Sequence, residues 1–190
     1  MKRCDPALGA LIPQLRGCQM HRRKRDLFDT LAWSIVGQQL SVKAAATIGQ
    51  RVVEATGEAR LVAAALDDCD DETLRACGLS AAKTRYLRGL ADAALDGTLN
   101  FRSLAQLRDA QVIETLTALP GVGEWTAQMF LMFALRRPDV FSPADVGLQR
   151  GIQMLDGLDS RPDADTMLKR AEVWRPFRSV ACWYLWRIAG

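Results

Sequence analysis

Asp145 is the residue whose type and setting most clearly suggest chemistry. It ends the segment Val140–Asp145, Val-Phe-Ser-Pro-Ala-Asp, and directly precedes a helical pattern that begins at Val146. An aspartate at such a position can serve as an N-cap that accepts a hydrogen bond from the helix. The same carboxylate can stabilise a developing positive charge or take a proton from water. These residues leave both roles open, and the two are compatible.

A glycine-rich turn upstream of Asp145 is suited to holding a phosphate. Pro120-Gly121-Val122-Gly123 separates a helical pattern from a new helix that starts near Glu124. Glycines at 121 and 123 permit positive φ and leave the first amides of the second helix uncovered. A helix N-terminus carries unpaired N–H groups and partial positive charge. The pattern predicts a helix-hairpin-helix that grips a phosphate backbone without reading sequence, with a plain glycine-capped corner as the alternative.

The elements that must position these residues are helices, because strand-like alternation is nearly absent. We predict helices from Leu27, from Ser41 to Gly57, over 59–66, from Asp70 or Asp71 to Gly78, from Ser80 to Gly97, from an Asp109 cap, from Asp145 to Gly157, from Asp163, and around Pro176. In the Ser80 helix, Leu87, Leu90 and Ala94 are expected to face inward, with Lys83, Arg85 and Arg88 outward. The fold is predicted to be all-α.

Composition sets weaker limits. The 190 residues are 49% hydrophobic and 25% charged, and the net charge of +3 permits a nucleic-acid partner without requiring one. Five scattered cysteines without metal-type spacing indicate reduced thiols in a cytoplasmic protein. The single histidine, His21, lies in a basic run over 21–25 that we expect to be a solvated loop. No signal peptide or transmembrane stretch is expected.

The hairpin and the aspartate together resemble the helix-hairpin-helix/Gly-Pro-Asp superfamily of DNA glycosylases, and specifically its 3-methyladenine glycosylase II type. The pattern Leu116-x-x-Leu119-x-Gly121-x-Gly123-x-x-x-Ala127 is filled, and Asp145 follows it at about the family spacing. The resemblance implies two helical lobes, one of about 35–115 and one of 1–34 plus 116–190, with the DNA cleft between them. It implies that Asp145 is the catalytic residue, and no iron–sulfur loop is expected.

The same resemblance assigns further site residues. Trp125 stands where lyase-competent members carry a nucleophilic Lys, which implies a monofunctional enzyme. Trp125, Trp186 and Met129 are expected in the base pocket, where an indole face favours a cationic alkylated purine. Gln39, with Gln38 as the second candidate, is expected to enter the DNA stack. The hairpin residues expected to hold the DNA backbone are Pro120, Gly121, Val122, Gly123 and Thr126.

The predicted function is hydrolysis of the N-glycosidic bond of alkylated purines in duplex DNA, after base flipping. No cofactor is expected, although the resemblance implies that a monovalent cation can bridge the carbonyls of Thr117, Leu119 and Val122 to a phosphate. We expect a monomer in the cytoplasm. The alternatives are a glycosylase for other damaged or mismatched bases, and a non-enzymatic helix-hairpin-helix module that binds DNA or senses damage.

Overall fold

The computed structural model describes residues 3–15, 17–20 and 26–190, and the regular elements in these ranges are all helical. The basic run predicted as a solvated loop lies outside the described residues. The helices are α1 (Pro6–Leu11), α2 (Leu27–Gly37), α3 (Val42–Thr56), α4 (Ala63–Asp68), α5 (Asp71–Ala76), α6 (Ala81–Leu95), α7 (Phe101–Leu104), α8 (Asp109–Thr117), α9 (Glu124–Phe133), α10 (Val146–Asp156), α11 (Ala164–Ala171) and α12 (Arg178–Ala189), with 3-10 turns at Ile12–Gln14 and Glu172–Trp174. The predicted all-α class is confirmed.

Polar side chains and glycines define the helix ends, much as the sequence predicts. Ser41 and Ser80 accept hydrogen bonds from the backbone of Ala44 and Lys83, at 3.2 and 3.3 Å. Gly57 closes α3 in the left-handed conformation. Four elements differ from the prediction: α4 covers Ala63–Asp68, α7 occupies a stretch for which no helix was predicted, Arg108 rather than Asp109 caps α8, and α12 begins at Arg178, two residues after Pro176.

The chain forms two compact units. The middle unit is Arg25–Leu135, and the terminal unit combines Met1–Lys24 with Arg136–Gly190. These bounds differ from the expected lobes, because α2 and the hairpin belong to the middle unit. The reason is packing: α2 lies against α3, α6 and α9, and α8 lies against α9.

The core of the middle unit is built around α2. Leu31 and Ile35 are fully buried there, as are Phe130 and Leu131 of α9. Each such side chain contributes about 1.5–3 kcal/mol to folding through burial. Arg88 was expected to face solvent, but its side chain contacts another helix. Its guanidinium donates to the carbonyls of Leu66, Asp67 and Cys69 and so caps the C-terminal end of α4.

The terminal unit is organised by the crossing of α10 and α12. A Cβ built on Gly151 would lie 2.6 Å from the backbone oxygen of Leu185, so the backbones of the two helices are in close contact at this glycine. The N-terminal segment is attached through Asp5, which is only 4% exposed. Asp5 caps α1, and its other oxygen accepts hydrogen bonds from Arg170 and from the indole of Trp174, each at 2.7 Å.

In the part of the chain that the structure describes, no helix has the length and apolar character that crossing a bilayer requires.

Candidate functional site

Asp145 occupies the N-cap of α10 and is only 8% exposed. Its Oδ1 atom accepts a hydrogen bond from the backbone N–H of Leu148 at 2.8 Å and another from the indole N–H of Trp186 at 2.9 Å. Two donors on one oxygen fix the plane of the carboxylate. The N-cap role and a catalytic role are therefore compatible in this geometry.

The segment that leads to Asp145 is tied to the start of α12. The Ser179 hydroxyl donates to the carbonyl of Arg137 at 2.7 Å and accepts from the amide of Val140 at 2.9 Å. Asp139, in the same segment, accepts from the guanidinium of Arg178 at 2.8 Å. Helix α12, which carries Trp186, therefore also binds the segment that precedes Asp145. These contacts fix the position of the indole relative to the carboxylate.

Glycines on α10 make this pairing possible. A Cβ on Gly147 would lie 2.8 Å from the ring of Trp186 and 3.1 Å from Oδ1 of Asp145. Together with Gly151 one turn later, it lets α12 approach α10 closely enough for the indole to reach the aspartate. The two glycines share one helix face at i, i+4 spacing, a sequence signal that indicates close helix packing here.

The second candidate region is the hairpin of the middle unit. Gly121 has φ +79° and packs against the ring of Tyr86, so a larger residue would be both strained and blocked. Gly123 is the N-cap of α9 and contributes no side-chain bond to the first turn. No side chain of the N-cap residue therefore covers the amides that begin α9, an arrangement that suits a phosphate.

A turn between α2 and α3 adjoins the hairpin; we call residues 38–41 the insertion loop. The amide nitrogen of Gln38 donates to the carbonyl of Gly121 at 2.7 Å and to the hydroxyl of Thr126 at 3.3 Å. Gln39, by contrast, is exposed and has φ +56°. Because the Gln38 side chain is bound to the hairpin, Gln39 is the more accessible of the two candidates for insertion into DNA.

Lys83 was expected to face solvent, and the structure places it differently. Its Nζ atom donates to the carbonyls of Val36 at 2.8 Å and of Gln38 at 2.6 Å. Burial lowers the pKa of the Lys83 ammonium. The helical periodicity predicts an outward-facing lysine, because a periodic pattern contains no information about the carbonyls at the end of α2 that the Lys83 ammonium contacts.

The aromatic and apolar pocket candidates are divided between the units. Trp125 is 41% exposed at the start of α9, and Met129, one turn later, is buried at 6% exposure. Trp186 belongs to the terminal unit and is half-buried. The Cys182 thiol lies beneath it on α12, where burial, and next the charge of Asp145, raise the thiol pKa, so that it is not a nucleophile at neutral pH.

The structure thus joins two sets of predicted residues: Asp145 with Trp186, and Gln38 with the hairpin residues Gly121 and Thr126. Three further residues contact these sets and were not predicted from the sequence as site residues: Tyr86, Gly147 and Lys83. Within the described residues, no group of three or more His, Cys, Asp or Glu side chains is arranged to hold a metal ion.

Comparison with known proteins identifies the family of this chain. The model of the HhH-GPD superfamily base excision DNA repair protein matches residues 32–176. The DNA-3-methyladenine glycosylase 1 of Schizosaccharomyces pombe is 34% identical over 166 residues, which are 86% of this chain and 73% of the relative. A putative DNA-3-methyladenine glycosylase of Bacillus subtilis is 33% identical over 168 residues, and the match spans 85% of this chain but only 58% of that protein.

Solved structures give the same result at the level of the fold. The 3-methyladenine DNA glycosylase of S. pombe, in complex with abasic DNA, superposes with a TM-score of 0.89 at 31% identity and covers 96% of this chain and 91% of its own. The DNA-3-methyladenine glycosidase of Bacillus halodurans has a TM-score of 0.78 at 38% identity, covering 98% and 90%. The family model and the relatives show that this chain belongs to the HhH-GPD superfamily of base excision DNA repair proteins.

Proposed function

We propose that this protein is a monofunctional DNA glycosylase that hydrolyses the N-glycosidic bond of alkylated purines in duplex DNA. The observation that carries the proposal is the carboxylate of Asp145, buried and oriented by a backbone amide and an indole N–H. The names of the relatives, DNA-3-methyladenine glycosylases, support the substrate class.

The reaction follows from charge. As the bond between the sugar and the base breaks, the base leaves with the bonding electrons and positive charge develops on the deoxyribose. Asp145 stabilises that charge and accepts a proton from the water whose oxygen bonds to the sugar. A purine alkylated at N3 or N7 is already cationic and departs as a neutral base, so no general acid is required. Trp125 cannot form a Schiff base, so the strand stays uncut.

DNA binding is proposed to use the hairpin and the insertion loop. The first amides of α9, with Pro120, Gly121, Val122, Gly123 and Thr126, would hold a backbone phosphate. A monovalent cation on the carbonyls of Thr117, Leu119 and Val122 would strengthen that contact. Gln39 would fill the space that the flipped nucleotide leaves. The base-pocket roles of Trp125, Met129 and Trp186 remain predictions from the family resemblance.

The test is base release from a duplex treated with a methylating agent. The intact protein should produce heat-labile abasic sites, and Asp145→Asn should lose that activity by about a hundredfold or more. Asparagine is as good an N-cap as aspartate, so the variant should keep its fold. Asp159→Asn, at an exposed position of the same unit, is the matched control and should retain full activity.

Each alternative function predicts a different result. A glycosylase for neutral or mismatched bases would release uracil, hypoxanthine or oxidised bases in preference to methylated purines. A non-enzymatic binding module would bind duplex DNA with salt-dependent affinity and yield no abasic sites with either protein. Activity retained by Asp145→Asn would refute the proposed mechanism while leaving the reaction class intact.

A further inference from the structure

The insertion loop contains a turn whose geometry is unusual for its sequence. The amide of Leu40 donates to the carbonyl of Gly37 at 3.2 Å, which closes a four-residue turn. Gln38 has φ −54° and ψ 132°, and Gln39 has φ +56°. These angles are those of a type II turn, in which the third position is ordinarily glycine because its φ is positive. Here a glutamine takes that position.

The simplest way to relieve the backbone strain at Gln39 would be to rotate the peptide group that joins it to Gln38. A type I turn has the same ends, but ψ of its second residue differs by roughly 150°, which reverses the central carbonyl and returns the third residue to negative φ. Type I is the commoner form and suits a non-glycine residue. Something must therefore hold the central peptide in the type II orientation.

Lys83 is placed to do this. Its ammonium donates at 2.6 Å to the carbonyl of Gln38, the central carbonyl that a peptide rotation would reverse. The same nitrogen is anchored by the carbonyl of Val36 at 2.8 Å, at the end of α2. Rotation to a type I turn would break a charge-assisted hydrogen bond and leave a half-buried ammonium with one acceptor fewer.

The same helix also supports the hairpin. Tyr86, one turn after Lys83 on α6, packs against Gly121, and the Gln38 side chain donates to the carbonyl of that glycine. Gln38 is therefore fixed at both ends, its carbonyl by Lys83 and its side chain by the hairpin. Helix α6 thus contacts both the loop that carries Gln39 and the hairpin turn that is proposed to bind a phosphate.

We propose that Lys83 is a positioning residue that holds the Gln38–Gln39 peptide in its type II orientation and so presents the Gln39 side chain to the DNA stack. This inference rests on the proposed function, because insertion matters only if a nucleotide is flipped. Lys83 does not touch the substrate; it acts through Gln39.

The experiment compares Lys83→Met, which keeps the aliphatic stem, with Lys83→Arg, which keeps the charge and the donors. Single-turnover base release from a methylated duplex should fall about tenfold in Lys83→Met, the effect of one charge-assisted hydrogen bond. Lys83→Arg should recover most of the rate. The control is Arg85→Met, which removes one charge from an exposed position of the same helix and should change the rate less than about twofold.

A double-mutant comparison separates positioning from a general structural role. In a Gln39→Ala background, Lys83→Met should lower the rate by less than about twofold further, because the side chain it positions is already gone. Additive losses would overturn the proposal. If Lys83→Met lowers the thermal unfolding midpoint too far for assay, Lys83→Gln replaces it in both backgrounds.

A fluorescence measurement distinguishes failure of this inference from failure of the proposed function. A duplex with 2-aminopurine beside a stable tetrahydrofuran abasic analogue reports how the stack is filled, and it needs no base release. The intact protein should change the emission, and both Lys83→Met and Gln39→Ala should reduce that change. If the intact protein releases no base but the fluorescence pattern holds, only the reaction is refuted. Lys83→Met indistinguishable from the intact protein in both assays would refute the role of Lys83.

Discussion

Replacing Gln39 by glycine is expected to stabilise the fold and to impair base release. A non-glycine residue in the left-handed region costs about 1–2 kcal/mol. Glycine removes that cost but has more backbone freedom in the unfolded chain, which costs about 0.5–1 kcal/mol. With φ +56° at an exposed side chain, the net gain in the free energy of unfolding should be about 0.5–1 kcal/mol. For a chain of this size, that corresponds to a rise in Tm of about 2 °C.

Gln39→Ala is the control, because alanine also removes the inserting side chain but keeps the Cβ and therefore the strain. Urea unfolding should place the glycine variant above the intact protein and leave the alanine variant within about 0.5 kcal/mol of it. Single-turnover base release should fall to a similar extent in both variants. Equal stability of the two variants would show that residue 39 does not hold a left-handed conformation in solution, and a glycine variant with full activity would refute insertion by Gln39.

Further predictions concern the terminal unit. Trp186→Phe keeps an aromatic face but loses the N–H that Asp145 accepts at 2.9 Å, so base release should fall about tenfold; an unchanged single-turnover rate would contradict this. Gly151→Ala places a Cβ 2.6 Å from the backbone oxygen of Leu185. This change should lower the free energy of unfolding, measured in urea, by about 1–3 kcal/mol. Equal urea midpoints for the variant and the intact protein would show that α10 and α12 can move apart without loss of stability. Burial opposes ionisation of Asp5, yet hydrogen bonds from a backbone amide and two side chains keep its pKa below the ordinary value. Its stabilising effect is therefore present at neutral pH and lost as pH falls below about 4; Asp5→Asn should flatten that loss, and an unchanged pH dependence would assign it to other groups.

Much of the fold could be read from the sequence, because its signals are local. Ser41, Ser80 and Asp163 are N-caps, and Gly57 and Gly157 end their helices, as predicted; the structure shows both glycines in the left-handed conformation. Such signals depend on a few neighbouring residues and survive any tertiary arrangement. The predicted N-cap of α8 was wrong because the sequence carries a weaker signal there. Arg108 caps this helix together with Gln111, and arginine is not one of the short polar residues that usually mark an N-cap.

The supports of the site could not be read in the same way. Lys83 and Arg88 have the spacing of an outward face, and a periodicity argument assigns charged residues to solvent by default. Each instead donates to carbonyls at a helix end that is distant in sequence, Val36 for one and Leu66 for the other. Every residue type has the same backbone carbonyl, so the sequence does not show which carbonyls will accept these hydrogen bonds.

The terminal unit contains two aspartates that share two contacts, and a catalytic role is proposed for only one of them, Asp145. Asp5 and Asp145 are both buried N-caps, and both accept an indole N–H, from Trp174 and Trp186. Asp5 also forms an ion pair with Arg170 at 2.7 Å. A carboxylate neutralised by a guanidinium is poorly suited to stabilise a cationic sugar, because the arginine already occupies the position of the positive charge. The cap and the indole therefore do not by themselves make Asp5 catalytic, and we expect Asp5→Asn to change stability while leaving the rate of base release of the folded protein unaltered.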